Sequence, residues 1–201
     1  MNLLARIFWL AGPVVVTGLL HMIVVRRKAL AWLAVPIDGG KTLGGKPIFG
    51  PNKTWRGFVW MIGASAVAGG FQGYFYGEWA ERVNVAPCDL ALVGLSLHVA
   101  EGPLQQLVGY MLLNVALGAG YALGELPNSF VKRRWGVEPG KTTSPFFFFL
   151  DQADSVVAAL LLAKAFFPLE WTLVLVGIVV LTLVHLALNA WLYLARVRKN
   201  L

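Results

Sequence analysis

Five long apolar stretches constrain the fold of this 201-residue chain more than any other feature of its sequence. A helix needs about 20 apolar residues to cross the hydrocarbon core of a bilayer, and each stretch is close to that length. Charged residues make up only 13% of the chain, against about 25% in soluble domains, so much of its surface has to face lipid. The sequence therefore predicts a single all-α integral membrane domain over residues 1–201, with five transmembrane helices at residues 7–25, 58–77, 104–123, 146–167 and 171–194. A shorter apolar run at residues 90–100 is predicted to lie at the membrane interface or to re-enter the membrane partway.

Basic residues are distributed unevenly between the connections of these predicted helices. Of the 17 Lys and Arg residues, seven lie between the first two stretches, four between the third and fourth, and three after the fifth. The positive-inside rule places these connections in the cytoplasm, so the N-terminus is predicted outside the cell membrane and the C-terminus inside. Two cytoplasmic loops then follow, at residues 26–57 and 124–145. The cluster Arg26, Arg27 and Lys28 argues against a cleaved signal peptide, because it would hold that end of the first helix in the cytoplasm.

The first loop combines glycines with cations. Six glycines lie between residues 39 and 57, interleaved with Lys41, Lys46, Lys53 and Arg56. Glycines allow successive backbone N–H groups to approach one anion, so the composition suits a phosphate site as well as it suits an ordinary basic loop. Asp38, next to a glycine pair, suits either the cap of a turn or a place in an acidic metal site.

A pair of carboxylates follows the second loop. Asp151 and Asp154 are three residues apart, so both project from one face of the predicted fourth helix. Carboxylates are costly in a membrane segment unless a cation compensates them. Oxygen ligands beside phosphate-binding cations favour Mg²⁺, and the alternative is ion pairing with Lys132, Arg133 or Lys53. The three histidines and the single cysteine lie on separate segments, and their spacing indicates neither a catalytic triad nor a metal site.

Several spaced motifs in the two loops resemble the CDP-archaeol synthase family, relatives of the CDP-diacylglycerol synthases. The first loop carries PIDGG at residues 36–40 and GPNKTWRG at 50–57. The second carries GELPNSFVKRR at residues 124–134, and LDQAD follows at 150–154. Glu125 stands where archaeal members commonly have Asp, and this longer variant resembles that of bacterial relatives.

This resemblance implies an enzyme that transfers a cytidylyl group from CTP to a membrane lipid phosphate in phospholipid biosynthesis, releasing pyrophosphate. It implies the lipid bilayer as surroundings and no nucleic-acid partner. A lipid phosphate is itself a nucleophile, so no serine, cysteine or histidine nucleophile is expected. The implied catalytic cations are Lys53, Arg56, Lys132 and Arg133, and the implied ligands of the cofactor Mg²⁺ are Asp151 and Asp154. The implied substrate-binding residues are Asp38, Gly39, Gly50, Asn52, Thr54, Glu125, Ser129 and Lys141.

A non-enzymatic lipid or ion carrier is the alternative from another functional class. A carrier would be favoured by ionisable residues at the middle of the membrane, whereas here they concentrate in two loops on one side. The residues therefore favour the enzyme.

Overall fold

The computed structural model describes residues 3–75, 103–141 and 144–195. Five long helices form a bundle: α1 (Leu3–Arg26), α2 (Trp55–Tyr74), α3 (Pro103–Arg134), α4 (Pro145–Phe166) and α5 (Trp171–Leu194). The connection between α1 and α2 adds a 3₁₀ turn (Ala31–Leu33) and a two-stranded hairpin, β1 (Thr42–Leu43) and β2 (Lys46–Pro47). The all-helical prediction is thus confirmed apart from this small hairpin. The apolar run at 90–100 lies outside the described residues.

Four of these helices, α1, α3, α4 and α5, are long and apolar enough to cross a membrane. Their outward faces carry apolar side chains such as Phe8 and Val16 on α1 and Val179 and Leu183 on α5, which suits contact with lipid. Helix α2 is not among the four, although the sequence predicts a crossing there. Five glycines and Gln72 interrupt its apolar residues.

The predicted helix boundaries hold within a few residues except at the end of α3. The sequence predicts a third helix over 104–123 and a loop over 124–145, whereas α3 continues to Arg134. That loop prediction is therefore corrected to the short segment between Arg134 and Pro145. Pro127 lies inside the helix without ending it, because hydrogen bonds from Asn128 and Lys132 to α4 hold the last turns in place.

Glycines let α3 approach both of its antiparallel neighbours closely. A Cβ atom on Gly73 of α2 would lie 2.5 Å from the carbonyl oxygen of Gln106 in α3. A Cβ atom on Gly120 or on Gly124 of α3 would lie 2.6 Å from a carbonyl oxygen of α4, that of Ala158 or Asp154 respectively. Small residues four apart, as in Gly120 and Gly124, are a common means of close helix contact in membranes.

Both polar connections lie at one end of the bundle, which we call the loop end: residues 27–54 between α1 and α2, and residues 135–144 between α3 and α4. The opposite end is marked by an ion pair at 3.1 Å between Arg6, near the start of α1, and Glu170, just before α5. The core between the helices contains buried apolar side chains such as Ile7, Leu117 and Leu160. The loop end therefore gathers the polar motifs above an apolar bundle.

Candidate functional site

The first connection is closed at its base by backbone hydrogen bonds. Ile37 N donates to Lys53 O at 2.8 Å, and Trp55 N donates to Val35 O at 3.0 Å. Gly44 and Gly45 both have positive φ angles, 57° and 74°, as a two-residue hairpin turn between β1 and β2 requires. These hydrogen bonds hold the two ends of the connection side by side at the start of α2.

Asp38 holds this connection together from within. Its Oδ1 accepts a hydrogen bond from Gly40 N at 2.9 Å, and its Oδ2 accepts from Phe49 N at 2.9 Å and Gly50 N at 3.1 Å. Desolvation acts to raise the pKa of Asp38, but these backbone hydrogen bonds outweigh it and bring the pKa below its usual value. Of the two roles that suit Asp38 from its sequence context, its contacts are those of the turn cap.

Arg134, the last residue of α3, fastens the hairpin to the bundle. Its guanidinium donates to the carbonyl oxygens of Leu43, Lys46 and Pro47, at 3.0 Å for Lys46 and 2.5 Å for Pro47. Lys46 Nζ donates in return to Arg134 O at 2.9 Å. The two connections also touch where Gly50 meets Pro139, because a Cβ atom on Gly50 would lie 3.3 Å from Pro139 Cγ. The motif residues of the first connection are thereby positioned against those of the second.

The last three turns of α3 carry a stripe of polar residues. Side chains three, four and seven positions apart share a helix face, and here that face consists of Glu125, Asn128, Ser129, Lys132 and Arg133. The last four of these residues are all buried. The stripe depends on the continuation of α3 through Pro127.

The two predicted metal-binding carboxylates face this stripe from α4. Asn128 Nδ2 donates to Asp151 Oδ1 at 2.6 Å and to Asp154 Oδ2 at 2.8 Å. Lys132 Nζ contacts both oxygens of Asp151, at 2.6 Å for Oδ1. Asp154 Oδ1 accepts from the backbone N of Ser155 at 2.6 Å. The ion pair with Lys132 that the sequence left open is therefore present, and Asn128 joins the two carboxylates.

The donor set at this point fits a hard divalent cation. Two carboxylates lie side by side, bridged by Asn128 Nδ2, which donates to both. Mg²⁺ prefers oxygen ligands and is commonly held in proteins by one or two carboxylates together with substrate phosphates. Within the part of the chain that the structure describes, no group of three or more His, Cys, Asp and Glu side chains forms a metal cage. Two carboxylates are the number that commonly accompanies substrate phosphates around such a cation.

A second ion pair joins the first connection to α3, between Lys53 Nζ and Glu125 Oε2. A third, at 2.7 Å, pairs Lys141 Nζ with Glu138 in the second connection. Their mutual hydrogen bond raises the pKa of Lys141 and lowers that of Glu138. These pairs lie in the same region as the pair between Lys132 and Asp151.

A cavity of about 460 Å³ opens between the helices at the loop end and brings most of the predicted site residues together. Its polar part is lined by Asn52, Lys53, Glu125, Ser129, Lys132, Arg133, Lys141, Asp151 and Asp154. Its apolar part extends along α1, α3, α4 and α5 past side chains such as Val14, Leu117 and Leu181. One cavity therefore connects a charged compartment with an apolar one.

Five predicted site residues do not line this cavity. Asp38, Gly39 and Gly50 belong to the turn described above, and Thr54 pairs with Pro36 at the base of the connection. Arg56 Nη1 lies 3.5 Å from Ala29 O, at the connection between α1 and α2. The cavity does not bring these residues together with the other nine.

Sequence reasoning missed several cavity residues. His21 of α1, Gln152 of α4 and His185 and Asn189 of α5 all line the cavity. Asn189 Nδ2 donates to Gln152 Oε1 at 2.6 Å, and His185 Nδ1 lies 3.1 Å from Gln152 O. A single polar residue on an apolar helix gives no periodic signal, so His21, His185 and Asn189 could not be predicted from the pattern. Asn128 and Gln152 could have been predicted, because they lie inside the GELPNSFVKRR and LDQAD motifs, beside Ser129 and Asp151.

Comparisons with known proteins agree with the motifs. The family model described as "CarS-like: CDP-archaeol synthase" matches residues 2–200. The CDP-archaeol synthase of Archaeoglobus fulgidus is 33% identical over 160 residues, covering 77% of this chain and 76% of the relative. That of Methanospirillum hungatei is 34% identical over 169 residues, covering 80% and 86%. That of Pyrobaculum calidifontis is 28% identical over 201 residues, covering 100% and 99%.

A solved structure shares the fold. It is described as "Structural insight into an intramembrane enzyme for archaeal membrane lipids biosynthesis", and it matches with a TM-score of 0.61 at 22% identity. The match covers 94% of this chain and 95% of the other. The family match over nearly the whole chain and this membrane-embedded, multi-span fold lead to one conclusion: the chain belongs to the CDP-archaeol synthase family.

Proposed function

We propose that this chain transfers a cytidylyl group from CTP to the phosphate of a membrane lipid, giving CDP-lipid and pyrophosphate. One observation carries the proposal: a single cavity joins a cluster of cations and carboxylates to an apolar compartment between membrane helices. A nucleoside triphosphate suits the charged part, and a lipid suits the apolar part. Family membership supports the same activity.

The cations of the cavity would bind the phosphates. Lys53, Lys132, Arg133 and Lys141 line its polar part, and side chains of this kind suit phosphate. Asn52 and Ser129 supply further hydrogen-bond donors. Preorganised donors in a site shielded from water stabilise the charge that develops on phosphate oxygens in the transition state.

We infer that Asp151 and Asp154 hold Mg²⁺. A bound divalent cation supplies charge neutralisation on phosphate oxygens and orients the leaving group. The carboxylates are held for this role by Asn128 and Lys132, which keep both facing the cavity.

The reaction needs no covalent intermediate with the protein. An oxygen of the lipid phosphate attacks the α-phosphorus of CTP, and the bond between that phosphorus and the bridging oxygen of the pyrophosphate breaks. The work left for the protein is positioning and charge stabilisation. Asp38, Gly39, Gly50, Thr54 and Arg56 act in this scheme by holding the first connection, since none of them lines the cavity.

The membrane arrangement that accompanies this function is a single domain with five crossings, including α2. We place the N-terminus outside, the C-terminus in the cytoplasm and the active site on the cytoplasmic side of the cell membrane. The distribution of Lys and Arg supports this orientation. CTP then enters the site from the cytoplasm, and the lipid enters from the bilayer.

The decisive experiment incubates the purified protein with radiolabelled CTP, Mg²⁺ and a panel of lipid phosphates. The panel contains phosphatidic acid, its isoprenoid diether analogue and glycerol 3-phosphate, which has no tails. We expect labelled CDP-lipid from at least one lipid and none from glycerol 3-phosphate. Asp151→Asn and Asp154→Asn should each lower turnover at least about 100-fold. Ser65→Ala is the control, because Ser65 lies on α2 and does not line the cavity, and this variant should keep the wild-type turnover. Absence of labelled lipid with every phosphate would contradict the proposal and favour a carrier.

A further inference from the structure

Buried polar atoms that lack a hydrogen-bond partner fall into two groups among the described residues. Three of these atoms belong to residues that line the cavity: His21 Nε2, Asn128 Oδ1 and Arg133 Nε. The other five belong to residues that do not: Arg56 Nε, Ser65 Oγ, Asn114 Oδ1, Arg134 Nε and Thr182 Oγ1. Burying a polar atom without a partner costs stability, so such atoms are uncommon. Where they occur beside a binding cavity, a ligand is the natural partner. His21 is the member of the first group that has no role in the scheme above.

The surroundings of His21 are specific. Its ring packs against α2 at Gly57, where an added Cβ atom would lie 3.6 Å from His21 Cε1 and 3.7 Å from Nε2. Glu125, Arg56 and Lys53 are the charged groups that interact with it electrostatically. The imidazole therefore lies between α1 and α2, next to charged residues of the loop end.

His21 also marks a border along α1. The cavity-lining residues that precede it on this helix, Ala11, Val14, Val15, Gly18 and Leu19, are all apolar. Only Met22 follows it on this helix, and then Asn52 and Lys53 of the first connection line the wall. On α1, His21 is thus the polar side chain at the boundary between the apolar and charged parts of the cavity.

We propose that His21 is a binding residue for the lipid phosphate, through a hydrogen bond from Nε2–H to a phosphate oxygen. This inference rests on the proposed function and assigns one substrate of it to one side chain. A lipid whose tails lie along the apolar wall has its phosphate at the boundary, where His21 lies. The triphosphate of CTP belongs instead beside Lys132, Asp151 and Asp154 on α3 and α4. His21 forms no covalent bond in this role, and one tautomer of the neutral ring suffices.

The test compares two substitutions of His21 in the full-length protein. His21→Phe keeps a flat ring against Gly57 but removes the nitrogen, whereas His21→Gln keeps an N–H donor at a similar distance from the backbone. We expect His21→Phe to raise the KM for phosphatidic acid at least about tenfold, as loss of a hydrogen bond to a charged group does. The KM for CTP should stay within about twofold of wild type, and His21→Gln should recover most of the loss.

Thr182→Val is the matched control, because it removes a buried, unpartnered hydroxyl that does not line the cavity. Both KM values should remain those of the wild type. A merely structural role for His21 predicts that Phe is tolerated, or that both KM values and the thermal stability change together. Either result would overturn the inference.

Binding of phosphatidic acid without CTP, measured by native mass spectrometry, separates this inference from the proposed function. If the wild type forms no CDP-lipid but binds phosphatidic acid more tightly than His21→Phe does, the transferase proposal fails and the role of His21 stands. If the wild type forms CDP-lipid and His21→Phe binds phosphatidic acid equally well, the role of His21 fails and the transferase proposal stands.

Discussion

At the scale of single residues, three lysines at the loop end are each paired with a carboxylate: Lys53 with Glu125, Lys132 with Asp151, and Lys141 with Glu138. The first two pairs are partly buried, and an unpaired charge is costly in such surroundings. Phosphate oxygens entering the cavity would compete with these carboxylates for the ammonium groups. The carboxylates then need another cation as a partner, and we propose Mg²⁺ for Asp151.

Asp38 gives a prediction at the same scale. Asp38→Asn leaves one acceptor oxygen where the carboxylate has two, so at least one of the amides of Gly40, Phe49 and Gly50 loses its partner. We expect hydrogen exchange of the segment 38–50 at pH 7 to become about tenfold faster, while the helices keep their protection. Mass-spectrometric hydrogen exchange measures both, and Glu138→Gln, which removes only an exposed ion pair, is the control.

The pH dependence of this turn follows from the lowered pKa of Asp38. A carboxylate whose pKa is lower in the folded state stabilises that state above the unfolded pKa, and its contribution is lost as the pH falls through the folded pKa. In the wild type, protection of segment 38–50 should therefore decline only below about pH 3.8, the unperturbed value. The Asn variant should lack this decline. A wild-type protection that falls between pH 7 and 5 would contradict the role of Asp38.

At the scale of helices, the contact between α3 and α4 sets the position of the carboxylates. Gly124→Ala would place a Cβ atom 2.6 Å from Asp154 O and 3.0 Å from Ser155 Cα. Overpacking of this kind typically costs about 1–3 kcal/mol, so we expect a lower melting temperature and a loss of turnover. Gly63→Ala on α2 is the control, because its Cβ atom would have no neighbour within 4 Å. Alanine has a higher helix propensity than glycine, so this variant should be at least as stable as the wild type.

The helices also show how far the sequence could predict the site. Helical spacing suffices to place Asp151 beside Asp154, and apolar length suffices to predict α5 over residues 171–194. The stripe at the end of α3 was not predicted, because proline usually interrupts a helix. Here the helix continues through Pro127, and its last turns are held by contacts with α4 that one sequence does not reveal. The pair of Lys53 and Glu125 joins residues 72 positions apart, and one sequence carries no signal for such a contact. The role of His21 depends on α2 packing against α1, which again only the fold provides.

At the scale of the whole molecule, the structure gathers both basic connections at one end of the bundle, through contacts such as that of Arg134 with the hairpin. If all five helices cross the membrane, these connections share one side, and their positive charge predicts that this side is the cytoplasm. Cysteine labelling with a membrane-impermeant reagent tests this in a Cys88→Ser background, since Cys88 is the single cysteine of the chain. In intact cells, Lys41→Cys and Lys141→Cys should remain unlabelled and Glu81→Cys should be labelled, whereas all three should react in detergent. If Glu81→Cys is protected together with the two lysine positions, α2 does not cross the membrane as proposed, and the five-helix topology has to be replaced.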